Sequence, residues 1–429
     1  MKTINVGMIG LGTVGGGVVR VLKKHHDDFV RDQGIDLNLV AVASRVPEEA
    51  VDLGVTDIFS LDGYDVINHP DVDIVIELVG GTTVAKDFVF AALNAKKPVI
   101  TANKALIADC GHELMSLAAE KGVEIAFEAS VGGGIPIIGP LRHTLAGNQI
   151  LSVMGIVNGT TNYMLTRMSE DALDYDVALK EAQAKGFAEF NPTADVEGHD
   201  AAAKIAILAS IAFNTNIKLG DVPTEGITHI SPSDLDYARE MGYSIKLLAI
   251  ANRTPDGIDI RVHPAMIPLT HPLASVKGVF NAIYVVGDSV GETMFFGEGA
   301  GSGAAASSVV GDLIEVGRHL AYREAITQSI WDTENLPIRP IDKLETSYYL
   351  RLSVPDRPGV LATTAQVFAE QGVSIYSMVQ RGAHGDSAEL SYVTHKAQES
   401  AIQATIEGIK QTGILKGEPV LIRVEGLQA

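Results

Sequence analysis

The stretch "INVGMIGLGTVGGGVVRVL" (residues 4–22) decides how the chain begins to fold. A β-branched apolar run leads into Gly10-Leu11-Gly12-Thr13-Val14-Gly15, and a helical pattern follows. Gly10 permits the tight turn, and Gly12 lets a pyrophosphate approach the backbone. Gly15 lets helix and strand pack closely, while the N–H groups at the helix start, around Thr13 and Val14, are donors for phosphate. The spacing alone also occurs in glycine-rich turns without a ligand. Its place between a strand and a helix favours a dinucleotide site.

The residues that follow repeat the alternation. "LNLVAVASR" (37–45), "VDIVIELVGG" (72–81), "PVITAN" (98–103) and "VEIAFEAS" (123–130) read as buried parallel strands. Helical stretches around 84–96 and 109–122 separate the later ones. This predicts an α/β fold with a Rossmann-type doubly wound parallel sheet over residues 1–130. The second strand ends in Ala43-Ser44-Arg45, where NAD-preferring sites usually place an acid for the ribose 2′-hydroxyl. An arginine suits a 2′-phosphate instead, so NADP is expected, with NAD the alternative if Arg45 is an ordinary surface residue. "TANKAL" sets Thr101, Asn103 and Lys104 just past a strand's carboxyl end, where ligands bind in such sheets.

Bulk properties narrow the function classes. A chain of 429 residues exceeds one core and implies several domains. With 46% hydrophobic and 20% charged residues it is globular, and a net charge of −20 argues against nucleic acid. The single cysteine, Cys110, forms no intrachain disulfide and fits a reducing, cytoplasmic setting. The apolar runs fall well short of the ~20 residues of a membrane helix, and no signal-peptide organisation is seen.

In the middle of the chain, "FEASVGGGIPII" (127–138) puts three glycines beside Glu128. Free carbonyls with a carboxylate suit a hard cation, but from the residues alone a flexible hinge is the favoured reading. "GIVNGTTNYMLTRM" (155–168) begins as a strand and continues as a helix; Asn158, Thr160 and Thr161 cap that helix or line a pocket. "GFAEFNPTADVEGHDAAAK" (186–204) then gathers acids before an apolar helix, with Asp200 and Lys204 spaced i, i+4 on one face. Burial of Lys204 would lower its pKa and Asp200 would raise it, leaving a proton shuttle and a plain ion pair both open.

The pattern Ala182-x3-Gly186-Phe187-Ala188…Asn191-Pro192-x2-Asp195-Val196-x-Gly198-x-Asp200-x3-Lys204 resembles the signature of homoserine dehydrogenases. "NGTTNY" (158–163), "TANK" (101–104) and "GEGAG" (297–301) are similar to the same family and follow in its order, over roughly residues 1–345. The resemblance implies interconversion of L-homoserine and L-aspartate 4-semialdehyde, in threonine, methionine and isoleucine biosynthesis. It implies that Lys204 transfers the proton at the homoserine hydroxyl, and that Asp200 and Glu189 hold the substrate, mainly by its ammonium group. Asp195 would support the site, and Lys104 would lie near nicotinamide and substrate. Gly186 and Gly301 would lie beside the cofactor, and Glu128 with the carbonyls of Val131, Gly133 and Ile135 would bind a structural sodium ion. One departure stands out. Members often carry Pro-Thr after the late glycine loop, where this chain reads "GSGAAASS" (301–308).

Residues 131–303 are therefore expected to form an α+β substrate domain, with 304–345 completing the nucleotide domain and contributing to dimerisation. Residues 332–347, with Pro337 and Pro340, read as a linker. Residues 348–429 follow βαββαβ, a ferredoxin-like plan. They carry 7 Lys+Arg against 8 Asp+Glu, so the rest of the chain holds nearly all the negative charge. "DRPGVLA" (356–362) resembles the strand–helix turn of ACT domains, regulatory modules that usually bind an amino acid and pair into dimers. Asp356 is expected to cap that helix, with N–H groups near Gly359 and Val360 receiving a carboxylate. Threonine is the natural effector on this reading, in a homodimer or homotetramer. A different amino-acid dehydrogenase with an appended sensor, and a non-catalytic nucleotide- and amino-acid-binding sensor, are the competing classes.

Overall fold

The computed structural model describes residues 2–322, 331, 333–381 and 386–426. Residue 332 of the expected linker, 323–330 of the segment expected to complete the nucleotide domain, the turn at 382–385 and the last three residues of the expected ACT module lie outside the described residues. The chain forms two compact units that do not follow chain order. The first comprises residues 1–153, 203–221 and 280–336, and the second 154–202, 222–279 and 337–429.

The first unit is built on β1 (Lys2–Ile9), β2 (Ile35–Ala43), β3 (Phe59–Ser60), β4 (Ile74–Glu77), β5 (Val99–Thr101) and β6 (Ile125–Ala126). All pair in parallel in the order β3-β2-β1-β4-β5-β6, the doubly wound order whose direction switches between β1 and β4. Every residue of β4 and β5 is buried, as a sheet covered on both faces requires. The intervening helices are α1 (Thr13–Asp28), α2 (Pro47–Leu53), α3 (Gly63–Asn68), α4 (Val84–Asn94) and α5 (Lys104–Lys121). Two details differ from the sequence reading. α5 starts at Lys104, not near 109, because Asn103 caps it by accepting from Leu106 N–H at 3.1 Å. The apolar run at 123–130 is strand only over Ile125–Ala126, since Glu128–Ser130 turn into a 3-10 helix. A late helix, α11 (Ser302–Tyr322), packs on α1 so closely that a Cβ at Gly17 would lie 2.7 Å from the Ser302 carbonyl. Its Ala306, Val309 and Leu313 join Val6, Val18 and Ile35 in one core. The hairpin β10 (Phe280–Gly287) and β11 (Gly291–Glu298) also belongs to this unit.

Strand β7 (Ile150–Ile156) and helix α9 (His199–Phe213) carry the chain between units. The second unit contains α6 (Gly159–Asp171), α7 (Tyr175–Ala184), α8 (Thr193–Val196), α10 (Pro232–Glu240) and the long antiparallel pair β8 (Tyr243–Thr254) and β9 (Gly257–Pro268). Its C-terminal part is β12 (Glu345–Pro355), α12 (Val360–Glu370), β13 (Ile375–Arg381), β14 (Ser387–Thr394), the short β15 (Ala397–Gln398), α13 (Glu399–Gln411) and β16 (Val420–Val424). The sheet order β16-β12-β14-β13 is that of a ferredoxin-like βαββαβ fold around Tyr348, Leu350, Phe368, Leu390 and Ile402. β16 also pairs in parallel with β9, Arg423 opposite Ala265. Asp234, fully buried on α10, receives Arg351 Nε at 2.6 Å and Nη2 at 3.0 Å, and Arg261 of β9 reaches Glu425 at 2.6 Å. Removing one partner of a buried ion pair typically costs ~3–5 kcal/mol. The module is thus integral to this unit.

Candidate active site

In the first unit a cleft of about 430 Å³ opens at the carboxyl ends of β1, β2 and β4, bordered by Gly10, Gly12, Ser44, Arg45, Val79 and Gly80. Gly10 has φ +106°, and a Cβ on Gly15 would lie 2.1 Å from the Gly10 carbonyl oxygen. Both glycines are therefore required by the turn and by helix–strand packing. The cleft lies at the topological switch point, its glycine backbone open to a ligand, and this fits a dinucleotide. Arg45 stands exposed at the rim just past β2. Glu49 lines the same cleft and accepts a 2.5 Å hydrogen bond from the Ser44 hydroxyl; sequence reasoning missed this acid because it sits one turn into α2.

Glu77 was also missed. Buried at the end of β4, it accepts from Val79 N–H (2.7 Å), Gly80 N–H (3.1 Å) and the Thr101 hydroxyl (2.7 Å), and so shapes the loop bordering the cleft. Thr101 is fully buried and donates to this carboxylate, so it braces the loop from behind. Asn103 adds a bond to the Gly81 carbonyl (2.7 Å), and Lys104, half-buried, opens α5. On the other flank Ser302 Oγ donates to the Thr13 carbonyl at 2.6 Å, which fixes Gly301 (φ +122°) beside the start of α1.

In the second unit Asn158 organises the acids. Its Oδ1 accepts from Thr161 N–H (2.9 Å) and so caps α6, while its Nδ2 donates to Asp195 Oδ1 (2.7 Å) and Asp200 Oδ2 (2.9 Å). One amide thus holds together two carboxylates that would otherwise repel, and it both caps the helix and lines the acid cluster. Asp200 lies in the first turn of α9, where the helix dipole favours negative charge. Lys204 follows one turn later on the same helix, in the stretch 203–221 that belongs to the first unit, and is only 8% exposed, next to the buried Ala203 and Ile205. Gly186 (φ +74°) and Glu189 are exposed on the turn after α7. That turn is tied to α6 by Thr160 Oγ1, which donates to the Phe187 carbonyl at 2.5 Å, and Gln183 holds the Glu189 carbonyl at 3.0 Å.

The Glu128 carboxylate accepts three backbone N–H groups, from Ile137 (2.5 Å), Ile138 (2.8 Å) and Gly139 (2.7 Å). A carboxylate offers about four lone-pair sites, so roughly one remains for a cation. Val131, Gly133 and Ile135 are buried nearby in sequence, and the Gly133 carbonyl accepts from Ser308 Oγ at 2.7 Å. Oxygen donors of this kind fit an alkali ion. Asp312, buried on α11, accepts from Glu128 N–H at 2.8 Å; burial, and then the charge of Glu128, hold its carboxyl well above the usual range. In the C-terminal module the expected Asp356 cap is absent. Gly359, with φ +93°, is itself the N-cap of α12, and Asp356 instead accepts from Gln380 Nε2 at 3.3 Å. Asp356 and Gly359 are exposed and Val360 is buried.

A nucleotide cleft at a switch point, and a helix that carries both Asp200 and Lys204, suit a nicotinamide-dependent oxidoreductase acting on a CH–OH group. The comparisons agree. Family models match for "Homoserine dehydrogenase, NAD binding domain" over residues 10–128, "Homoserine dehydrogenase" over 136–314 and "ACT domain" over 348–413. A homoserine dehydrogenase of Pseudomonas aeruginosa is 43% identical, with 100% of both chains covered. The crystal structure of one from Thiobacillus denitrificans superposes with a TM-score of 0.95 at 41% identity, covering 100% of this chain and 99% of that one. A hyperthermophilic archaeal homoserine dehydrogenase in complex with NADPH matches with a TM-score of 0.63 at 26% identity, over 74% of this chain and 98% of that one. The chain belongs to the homoserine dehydrogenase family, with a C-terminal ACT domain. No helix among the described residues is long and apolar enough to cross a membrane.

Proposed function

We propose that the chain interconverts L-homoserine and L-aspartate 4-semialdehyde with NADP as the preferred cofactor. When bound, the nicotinamide supplies the hydride acceptor or donor. Lys204, in its uncharged form, accepts the hydroxyl proton as the carbonyl forms, and returns it in the reverse direction. Asp200 and Glu189 take the substrate ammonium, and Asp195 keeps Asp200 in place through their shared amide donor. Lys104 lies near the nicotinamide and the substrate. The N–H groups at Thr13 and Val14, with Gly10, Gly12 and Gly15, hold the pyrophosphate. Gly186 and Gly301 border the cofactor, Thr101 acts through Glu77, and Arg45 receives the 2′-phosphate. Glu128 with the carbonyls of Val131, Gly133 and Ile135 binds a structural sodium ion, which predicts a higher melting temperature in sodium than in lithium or choline chloride. Threonine binds near Asp356, Gly359 and Val360 in a homodimer or homotetramer and regulates the enzyme, which serves threonine, methionine and isoleucine biosynthesis in the cytoplasm.

The observation that carries this reading is the Asn158 clamp on Asp195 and Asp200, one turn before a buried lysine on the same helix. The test is absorbance at 340 nm with homoserine and each cofactor, for the parent and Lys204→Ala. A positioned proton-transfer group contributes ~100–10,000-fold, so turnover should fall by that order while cofactor binding survives. Near-normal turnover in a folded variant removes Lys204 from the chemistry.

A further inference from the structure

Asp195 and Asp200 flank a short segment, Val196-Glu197-Gly198, whose neighbour in the second unit is the loop at 223–227. Ile227 N–H donates to the Val196 carbonyl at 2.8 Å. A Cβ at Gly226 would lie 2.1 Å from that carbonyl oxygen and 2.5 Å from the Glu197 Cα, so the two backbones touch. A Cβ at Gly198 would in turn lie 3.0 Å from the Thr224 methyl. The loop is held on its other side by β9, through Glu225 N–H to the Val262 carbonyl (2.8 Å) and Val262 N–H to the Pro223 carbonyl (2.9 Å).

What fixes the Glu225 side chain comes from the C-terminal module. Arg423, on β16 and 1% exposed, lays its fork on Glu399, Nε to Oε2 at 2.8 Å and Nη2 to Oε1 at 2.6 Å. The same guanidinium extends to Glu225, Nη1 to Oε2 at 2.9 Å and Nη2 to Oε1 at 2.9 Å. Glu399 is as buried as Arg423 and is further held by the Tyr348 hydroxyl at 3.1 Å. The cation is therefore rigidly mounted, and the partly exposed Glu225 is the group that it immobilises.

We infer that Glu225, clamped by Arg423, is a positioning residue for the substrate-binding aspartates: the C-terminal module sets the 196–198 segment, and with it Asp195 and Asp200, through this ion pair. The inference rests on the substrate role given above to those aspartates. A planar guanidinium bridging two carboxylates fixes distance and angle together, which a lysine at the same place would not.

The test is Glu225→Gln in the full-length chain, with Glu225→Asp as the conservative companion. Glu225 is exposed enough for its substitution to leave the core intact. Glu225→Gln should raise the homoserine KM about fivefold or more, with kcat and the NADP KM within twofold of the parent. Glu225→Asp should recover part of that loss. A merely structural role predicts a lower melting temperature with the homoserine KM unchanged, and that result overturns the inference. A parent chain that does not oxidise homoserine strikes at the functional reading instead, so the two failures are distinguishable.

Discussion

Asn158→Asp isolates the amide that stands between Asp195 and Asp200. The variant keeps an oxygen for Thr161 N–H, so the start of α6 retains its cap. It removes the donor that lies 2.7 Å from Asp195 and 2.9 Å from Asp200 and puts a third carboxylate there. Hydrogen bonds to charged groups contribute ~1.5–3 kcal/mol each, so losing two removes at least ~3 kcal/mol of organisation. At 1.4 kcal/mol per tenfold this is roughly a hundredfold in kcat/KM for homoserine. Like charges at ~3 Å in an effective dielectric of ~20 repel by several kcal/mol, so the cluster takes up a proton instead of carrying three charges. That proton restores one O–H donor among the carboxylates, so the deficit is smallest at low pH and grows as pH rises and the proton leaves. Initial rates at 340 nm across pH 6.5–9, with circular dichroism to verify folding, measure both effects. A folded variant whose kcat/KM stays within about threefold of the parent at every pH refutes the role given to Asn158.

Three further outcomes follow from other parts of the molecule. Arg45→Asp should weaken NADP more than NAD, and an unchanged ratio of the two KM values removes Arg45 from the 2′-phosphate. Lys246, almost fully buried on β8, donates to Asn162 Oδ1 at 3.1 Å and to the Val276 carbonyl, and burial, with a smaller contribution from Lys277, lowers its pKa to about 8. Because the folded-state value lies below the unfolded one near 10.5, the charged form burdens the fold below pH 8, and stability returns as pH rises toward 10.5. Relative to Lys246→Met, the parent should gain ~2 kcal/mol between pH 7 and 10, at 1.36 kcal/mol per unit, read as a change in the difference of the two melting temperatures; a pH-independent difference contradicts this. Threonine should bind the intact chain in calorimetry and shift homoserine affinity by roughly 5–150-fold, and Asp356→Ala should reduce that coupling. Equal coupling in the variant moves the site elsewhere. Truncation near residue 345 is a poor substitute, since it strands Asp234 and Arg261 without their buried partners.

The parts of this molecule legible in the sequence are those whose physics is local. Gly10, Gly12 and Gly15 announce a turn because a few adjacent residues decide whether a backbone can approach a phosphate. Asn158 is legible as a cap for the same reason, since Thr161 lies three residues away. Its second role depends on residues 37 and 42 positions distant, and no spacing rule reaches that far. Glu77, Asp312 and Arg423 share this property. Each is a buried ionisable group tolerated only because tertiary structure supplies donors or a counter-charge, and in sequence each resembles a surface residue. The misread ends have physical causes as well. The apolar run at 123–130 leaves the sheet early because Glu128 turns to collect three N–H groups from residues 137–139. Asp356 does not cap α12 because Gly359, free to adopt φ +93°, starts the helix three residues later. A candidate site stands out in the sequence where its motif is contiguous, as from Gly186 to Lys204. The supports that aim those groups lie in other elements, and the Arg423–Glu225 clamp, with partners 198 residues apart, is the most distant of them.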